Sequence, residues 1–430
     1  MRFLRRDAVL RLGALTGLLP LMLGACAPAA PPAAPPPTTA PAPTTAPAPK
    51  AAVSPAASPS PSAAASPSPA VKPAASPAAS PSVGAGPSPA AKPAAPTPTT
   101  LPPVAADTTT IQLTKVPIPP IAGQTLSADI IDIDQAAHLL YLTDRNDTGI
   151  DIFDVSNPTA RYVTTVNVGS GPNGVIVAKN VNKVFAGLND SNVAVIDIDS
   201  ASPRVNTVIA RLNTGGKARA DELDYDPEDR KIYVANSDDQ FVTVIDAVQN
   251  SIVKRIDVPG GAIEQPRYNS ADGMMYLTGS EDNVVYKFDP KTDTMVSKTD
   301  VVDKCNPNGL AINPKTNQAL LGCSSRKQPQ HAVAWDIAAG KVITTFNQAG
   351  AGDMTLYDDK VDRFFFAASN FFRGAQMAMF RASDPIAFQT NVPTAVGSHA
   401  VAFDETNNIV YTQDQLPNEG ALFSFPLPSP

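Results

Sequence analysis

The stretch Lys231–Gly261 reads KIYVANSDDQFVTVIDAVQNSIVKRIDVPGG and contains three short runs that are typical of β-strands. The runs KIYVAN, FVTVID and SIVKRIDV are rich in β-branched and aromatic residues, and each is too short for an ordinary helix. The polar turn sequences SDDQ and AVQN separate the runs, and PGG ends the last one. The stretch therefore predicts three strands joined by tight turns.

Variants of this unit recur along the chain at a spacing of about 43–48 residues. The copies of its first run are HLLYLTD (138–144), KVFAGLN (183–189), KIYVANS (231–237), MMYLTGS (274–280), QALLGCS (318–324), RFFFAAS (363–369) and IVYTQDQ (409–415). A further strand-like run, such as ELDYDP (222–227) or GLAINP (309–314), precedes each copy. Repeats of this length are typical of an array of four-stranded units.

The two ends of the array predict how it closes. The chain ends just after ALFSFP, so the seventh unit has no fourth strand following it. The segment TTIQLTKVPIPP (109–120) resembles the missing strand and precedes the first unit. We therefore predict an all-β, seven-bladed β-propeller, closed by an N-terminal strand that completes the last blade and leaves no free inner edge.

Two segments of different composition precede the array. Residues 1–26 combine a basic start, MRFLRR, with an apolar run that ends in LGAC, and this end resembles the box at which bacterial lipoproteins are lipidated, here on Cys26. An ordinary signal peptide with a chance cysteine is the alternative. Residues 27–106 consist largely of Pro, Ala, Ser and Thr, which cannot bury a core. The predicted domains are a lipoprotein signal peptide (1–26), a disordered linker (27–106) and the propeller (107–430).

This organisation predicts an extracytoplasmic protein that is lipid-anchored to the bacterial cell membrane and projects through the cell envelope. The lipid would be its contact with the membrane. A net charge of −7 and a pI near 5.0 argue against a nucleic-acid partner, which requires a basic surface.

The repeats resemble those of the YVTN family of β-propellers. In that family a Tyr-Val-Thr-Asn strand precedes a V-x-V-I-D strand, and Ile232-Tyr233-Val234-Ala235-Asn236 and Val244-Ile245-Asp246 carry the match here. The resemblance covers about 107–430 and is weakest in the last three blades. It implies the propeller fold and an exported or surface location more than it implies an activity.

The residues that enter the innermost strands form the most informative set of candidate site residues. Alignment of the repeats predicts that seven polar side chains converge at one end of the central channel, and we call them the channel ring: Asp129, Asn173, Asp221, Glu264, Asn308, Asp353 and His399. Three charged residues lie beside it in the sequence, Arg219, Glu222 and Arg267, and complete the predicted binding set.

Two interpretations of the channel ring remain open at this point. Carboxylate and amide oxygens suit a hard cation, so Ca²⁺ or another divalent ion is a candidate cofactor, with Asp221, Glu264, Asn308 and Asp353 as its ligands. The placement is similar to that of the single ion in the gluconolactonase and senescence-marker propellers. Alternatively, these side chains line a hydrated channel and cap the inner strands through backbone hydrogen bonds.

Two cysteines lie within the predicted propeller. Cys305 precedes the first strand of blade five, and Cys323 ends its second strand, so both are expected at the same end of the blade. We predict a disulfide between them, and two unpaired thiols are the alternative.

These features favour a binding module without catalytic activity. The sequence contains no complete nucleophile, phosphate-binding or haem-attachment motif. The leading hypothesis is a membrane-anchored propeller that presents its loops to an unknown protein or a polar small ligand. The alternative is a divalent-metal-dependent, lactonase-like hydrolase with its site in the central channel, where a carboxylate or His399 would transfer the proton.

Overall fold

The computed structural model describes residues 107–119, 126–302, 304–323, 330–414 and 421–429. The predicted signal peptide, Cys26 and the linker lie outside these ranges and stay predictions. Within the described residues, no helix is long and apolar enough to cross a membrane.

The described chain forms seven four-stranded antiparallel sheets, which are the blades of a propeller. The first three blades, from the channel outwards, are β2 (Ala128–Asp134), β3 (Leu139–Asp144), β4 (Gly149–Asp154) and β5 (Arg161–Asn167); β6 (Pro172–Ala178), β7 (Lys183–Leu188), β8 (Asn192–Asp197) and β9 (Thr207–Asn213); and β10 (Leu223–Asp226), β11 (Lys231–Asn236), β12 (Phe241–Asp246) and β13 (Ser251–Asp257). The next three are β14 (Ile263–Asn269), β15 (Met274–Gly279), β16 (Val284–Asp289) and β17 (Thr294–Asp300); β18 (Pro307–Asn313), β19 (Gln318–Cys323), β20 (Ala332–Asp336) and β21 (Lys341–Phe346); and β22 (Thr355–Asp358), β23 (Arg363–Ala368), β24 (Gln376–Arg381) and β25 (Ala387–Pro393). Blade seven is β26 (Ala402–Asp404), β27 (Ile409–Asp414), β28 (Ala421–Pro426) and β1 (Thr114–Pro117), and two 3₁₀ turns span Lys179–Val181 and Ser237–Asp239.

The predicted closure of the ring is confirmed. Strand β1 pairs antiparallel with β28, with Thr114 opposite Ser424 and Pro117 opposite Ala421. The first and last parts of the domain therefore share one blade, and β28 is not left as an unpaired edge.

The residues that define the repeat, Tyr233 and Asp246 among them, stabilise the scaffold. Tyr233 is fully buried, and its hydroxyl donates a hydrogen bond of 3.0 Å to Asp293 in the next blade. Asp246 ends β12, and its Oδ1 accepts hydrogen bonds from the backbone N–H groups of Val248 and Gln249. The Asp of this motif therefore fixes a turn, as Asx residues commonly do.

A bulge at the same place in blades one to six bends the outer half of each sheet. The register between the third and fourth strands shifts by one residue at this place, for example between Val244 and Ile245. Bulges increase the local twist, and here they let each blade twist as it leaves the channel.

Apolar side chains from adjacent blades form the core. The strands that lie second and third from the channel carry the largest fully buried side chains, including Tyr141, Phe153, Phe185 and Phe366. The predicted disulfide between Cys305 and Cys323 is present, and both sulfur-bearing residues are buried. It ties the connection that precedes blade five to the end of β19.

We expect the closure strand, and not the preceding linker, to determine stability. Deleting residues 1–119 removes β1, exposes the edge of β28 and should lower the melting temperature and promote aggregation. Deleting residues 1–106 should leave the melting temperature unchanged. Thermal unfolding and gel filtration of the two truncated chains check this prediction, and equal stability of both would contradict it.

Candidate functional site

The channel ring lies at one end of the channel, as predicted. Four of its members occupy the second position of an inner strand: Asp129, Asn173, Glu264 and Asn308. The other three lie two or three residues before the next inner strands: Asp221, Asp353 and His399. We call this end of the propeller the loop face, because the turns between second and third strands and the connections between blades also lie there.

Asp129 is the centre of a hydrogen-bonded network that joins blades one, two and seven. Arg145, from the turn between β3 and β4, forms an ion pair with Asp129, and its Nε donates a hydrogen bond of 2.9 Å to Oδ1 of Asn173. His399 approaches from the opposite side, with Nε2 at 2.9 Å from the other oxygen of Asp129. Asn173 in turn donates to the carbonyl of Ala220.

The surroundings of His399 hold its imidazole in the protonated form. Burial alone would lower the pKa of His399, but the hydrogen bond that its imidazole donates to Asp129 and the negative charges of Asp353 and Asp129 raise it to about 9. Nδ1 lies 2.6 Å from the carbonyl of Gly397, to which the imidazolium donates its second proton. The network is therefore an ionic one at neutral pH.

A second ion pair forms on blade three. The guanidinium of Arg219 lies 2.8 Å from Oδ2 of Asp221 and 3.9 Å from Asp238 on the rim. Burial raises the pKa of Asp221 to about 6, although the charge of Arg219 opposes this change. Arg219 thus compensates part of the buried negative charge of the ring.

The negative charges of Glu264 and Asp353 are offset less by nearby positive side chains. Burial, followed by the charges of Asp221 and Asp353, raises the pKa of Glu264 well above its ordinary value. Burial also raises the pKa of Asp353, although the positive charge of His399 opposes it. Glu264 borders a cavity of about 290 Å³ that opens on the loop face and is also lined by Arg219, Asp238 and Glu281.

The proposed metal ligands are not assembled into a compact site. Among the described residues, Asp221, Glu264 and Asp353 do not place their carboxylate oxygens within 4.8 Å of one another. The side chains of Cys305, Cys323 and His331 do bring their sulfur and nitrogen atoms within this distance. Both sulfurs of that second group are joined in the disulfide. Asp221 is instead paired with Arg219, so the assignment of a divalent cation stays a prediction.

A second set of charged side chains lies deeper in the channel. Glu222 and Arg267, both predicted, line a cavity of about 230 Å³ beneath the channel ring. Two further carboxylates, Asp132 and Asp224, line the same cavity. We call this cavity the channel chamber.

Asp132 and Asp224 were missed by the sequence analysis for a structural reason. Each lies three residues after a member of the ring, whereas a regular strand returns to the same face after two. The pairing of β2 with β3 shifts register between Ala128 and Ile131, so the alternation of faces is displaced by one residue before Asp132. Asp221 lies before β10, which begins at Leu223, so the alternation within that strand does not extend back to Asp221. Extending the alignment of the repeats by three positions would have found both residues.

Comparisons with known proteins agree with the fold. A search of protein-family models finds no match. Histone acetyltransferase type B subunit 2 of Candida albicans is 27% identical over 104 residues, which is 24% of this chain and 27% of that protein. This chain therefore aligns with about a quarter of the length of that relative. A chain in the crystal structure of the mitotic checkpoint complex superposes with a TM-score of 0.58 at 14% identity, over 76% of this chain and 96% of that chain. This likeness shows the fold alone.

The contact between Asp129 and His399 can be tested by measuring the pKa of His399 by NMR. Asp129→Asn removes the hydrogen-bond acceptor and the negative charge of Asp129, both of which raise the pKa of His399, so that pKa should fall from about 9. NMR titration of the imidazole resonances checks this, since the chain has 3 histidines and His399→Gln assigns the signal. Asp353→Asn is the matched control and should lower the pKa less. An unchanged pKa in Asp129→Asn would show that the hydrogen bond does not form.

The same shift makes stability depend on pH. The folded pKa of His399 lies above the unfolded value, so its contribution to the free energy of unfolding is complete below about pH 6.5 and is lost as pH rises through about 9. We expect the stability difference between the native chain and His399→Gln to shrink over this window. Chemical denaturation at pH 6.5 and pH 9.5 measures it.

Proposed function

We propose that the propeller is a non-enzymatic module that binds a protein partner through blades five to seven of the loop face. One observation carries this proposal. The three most exposed large hydrophobic side chains of the described residues all lie in loops on this part of the face: Val302, Phe372 and Val396, which are 84%, 68% and 66% exposed. Val302 precedes blade five, Phe372 joins β23 to β24, and Val396 precedes blade seven. Exposed apolar groups gathered on one face are typical of interaction surfaces.

Phe372 is held in place as a binding anchor would be. Its backbone N–H donates a hydrogen bond of 2.8 Å to the side chain of Gln330, and its ring packs at 4.4 Å from the ring of buried Phe371. The guanidinium of Arg373 lies 5.2 Å from the Phe372 ring and is itself paired with Asp107. An aromatic side chain that is already ordered loses little entropy on binding, and such residues commonly dominate interface energies.

Polar groups next to this patch would form the rim of the interface. His399, Asp353 and Glu264 lie at the mouth of the channel on the same face, and protein interfaces commonly combine apolar and polar groups. Both similar proteins are named as members of assemblies, one as a subunit and one as a complex. Those names concern the similar proteins, and they support a protein partner for this chain.

We also propose that the propeller acts outside the cytoplasm. The motif that ends at Cys26 supports lipid anchoring, and the resemblance to YVTN repeats supports an exported role. A Pro-rich spacer over residues 27–106 would span roughly 250 Å at about 3.1 Å per residue if it were fully extended. Such a spacer would carry the loop face away from the membrane surface.

Site-specific photo-crosslinking in intact cells tests the interface. A crosslinking residue at Val396 should trap a protein, whereas one at Val253, which is 48% exposed on β13 at the outer side of blade three, should not. Adding Phe372→Ala should reduce the yield at Val396 about tenfold, which corresponds to about 1.4 kcal/mol. Equal yields at both positions, or no effect of Phe372→Ala, would reject the proposed surface.

Cell fractionation tests whether the protein is anchored to the membrane. Cys26→Ala should release the protein from the membrane fraction, whereas Ser54→Ala in the linker should not change its distribution. An uncleaved signal peptide could retain the variant, so a second chain replaces residues 1–26 with a cleavable signal peptide that lacks the box. Retention of that second chain in the membrane would contradict lipid anchoring.

A further inference from the structure

The channel chamber contains charged side chains that do not pair with each other. Asp132 accepts hydrogen bonds of 2.7 and 2.8 Å from the backbone N–H groups of Val177 and Ile133. Asp224 accepts one of 2.6 Å from the backbone N–H of Tyr268. Each carboxylate is thus oriented by the inner strands.

Arg267 is oriented in the same way. Its guanidinium donates to the backbone carbonyls of Pro266 and, at 3.5 Å, Thr355. Within the described part of the chain it forms no direct ion pair, although it lines the chamber with three carboxylates. With its three carboxylates and Arg267 all ionised, the chamber would therefore hold a net charge of −2.

Glu222 is a buried side chain to which the described residues offer no hydrogen bond and no direct ion pair. It is only 8% exposed, and it lines the chamber. Among the described residues, its carboxyl group forms neither a hydrogen bond nor a direct ion pair. A buried carboxyl group without a partner costs on the order of 1–3 kcal/mol or more, so its presence needs a compensating role.

The walls between these charges are largely apolar. Side chains such as Ile130, Val175, Leu223, Ile312 and Met354 line the chamber. A volume of about 230 Å³ exceeds the roughly 30 Å³ that one water molecule occupies in the liquid, so the space fits a small organic molecule. A bare metal ion would leave most of the apolar wall without a contact and would lie close to the positive charge of Arg267.

We propose that the channel chamber binds a small organic ammonium ion, with Glu222 receiving the ammonium group and the aliphatic walls receiving its hydrocarbon body. Asp132 and Asp224 add negative potential at the ammonium end of the site. The positive charge of Arg267 lowers the pKa of Asp132, Glu222 and Asp224 and so offsets part of the effect of their burial. This inference concerns the interior of the channel and is independent of the protein-binding surface proposed above.

The ligand has a route to the chamber from the end opposite the loop face. A second cavity, of about 430 Å³, shares Asp132, Ile176 and Asp224 with the chamber. It extends to the exposed turn residues Ala136 and Pro227 at the ends of the inner strands. On the loop face the ion pairs of Arg145 and Arg219 lie across the channel ring and narrow that entrance.

A cation in the chamber would offset an unfavourable environment for the charge of Glu222. Burial is the main cause that raises the pKa of Glu222 well above its ordinary value. The charged groups that act on it from the surrounding elements are Arg267, Asp353, Glu264 and Asp221, and Asp132 and Asp224 share its chamber. An ammonium ion beside the carboxylate would favour its charged form.

Calorimetric titration of the purified full-length chain tests the proposal. The probe is n-butylammonium chloride, and n-butanol is the neutral control of equal chain length. We expect butylammonium to bind, and butanol to bind at least tenfold more weakly. Glu222→Gln should reduce the affinity for butylammonium at least tenfold, whereas the exposed carboxylate variant Asp257→Asn should bind as the native chain does.

A second variant tests the site without changing its charge. Ala311→Leu narrows the chamber, so it should weaken binding of butylammonium more than that of methylammonium. If neither ammonium ion binds, if Glu222→Gln binds as tightly as the native chain, or if Ca²⁺ binds while butylammonium does not, the proposal is wrong. Melting curves of each variant without ligand separate a loss of binding from a loss of folding.

Discussion

The pairing of β1 with β28 is the constraint on which the rest of the structure depends. It joins residues 114–117 to residues 421–426 and closes a ring of seven sheets. The N-terminal segment also reaches blade six, where the backbone of Thr109 hydrogen-bonds to Asn391 and Asp107 pairs with Arg373. Because the ring is closed, every inner strand begins at the same end of one channel, and the residues at those positions must share a small volume.

That convergence has an electrostatic consequence. Four carboxylates of the channel ring approach each other where burial already disfavours their charge, and the pKa of Glu264 rises for both reasons. The chain counters part of this cost with cations from the loop face: Arg145 and His399 at Asp129, and Arg219 at Asp221. The turns that decorate the propeller therefore also stabilise its centre. The contact of Arg145 with Asp129 could not be predicted from the repeats, since it depends on how far the Arg145 side chain reaches from its turn.

The sequence predicted the repeated parts of the fold well, because each repeat carries the same local signals. Strand β11 lies at Lys231–Asn236, within the run KIYVANS, and the strand completing blade seven lies within 109–120. The ring residues were found because they occupy equivalent repeat positions. Asp132 was missed because the register shift in β2 changes which residues face the channel, and Asp224 was missed because Asp221 lies before the start of β10. Whether Phe371 or Phe372 is exposed also depends on the path of one loop, and the structure buries the first and exposes the second.

The departures from the repeat place charged side chains where other blades carry apolar ones. At the position three residues after the ring, blades two, five and six carry Ile176, Ala311 and Leu356, which fill the channel with apolar groups at little cost. Blades one, three and four carry Asp132, Asp224 and Arg267 at the same position. Burying such charges costs several kcal/mol per ion unless they pair, and these are oriented by the backbone without pairing directly. A closed propeller does not need them, and the bound cation proposed above would compensate part of the cost of burying them.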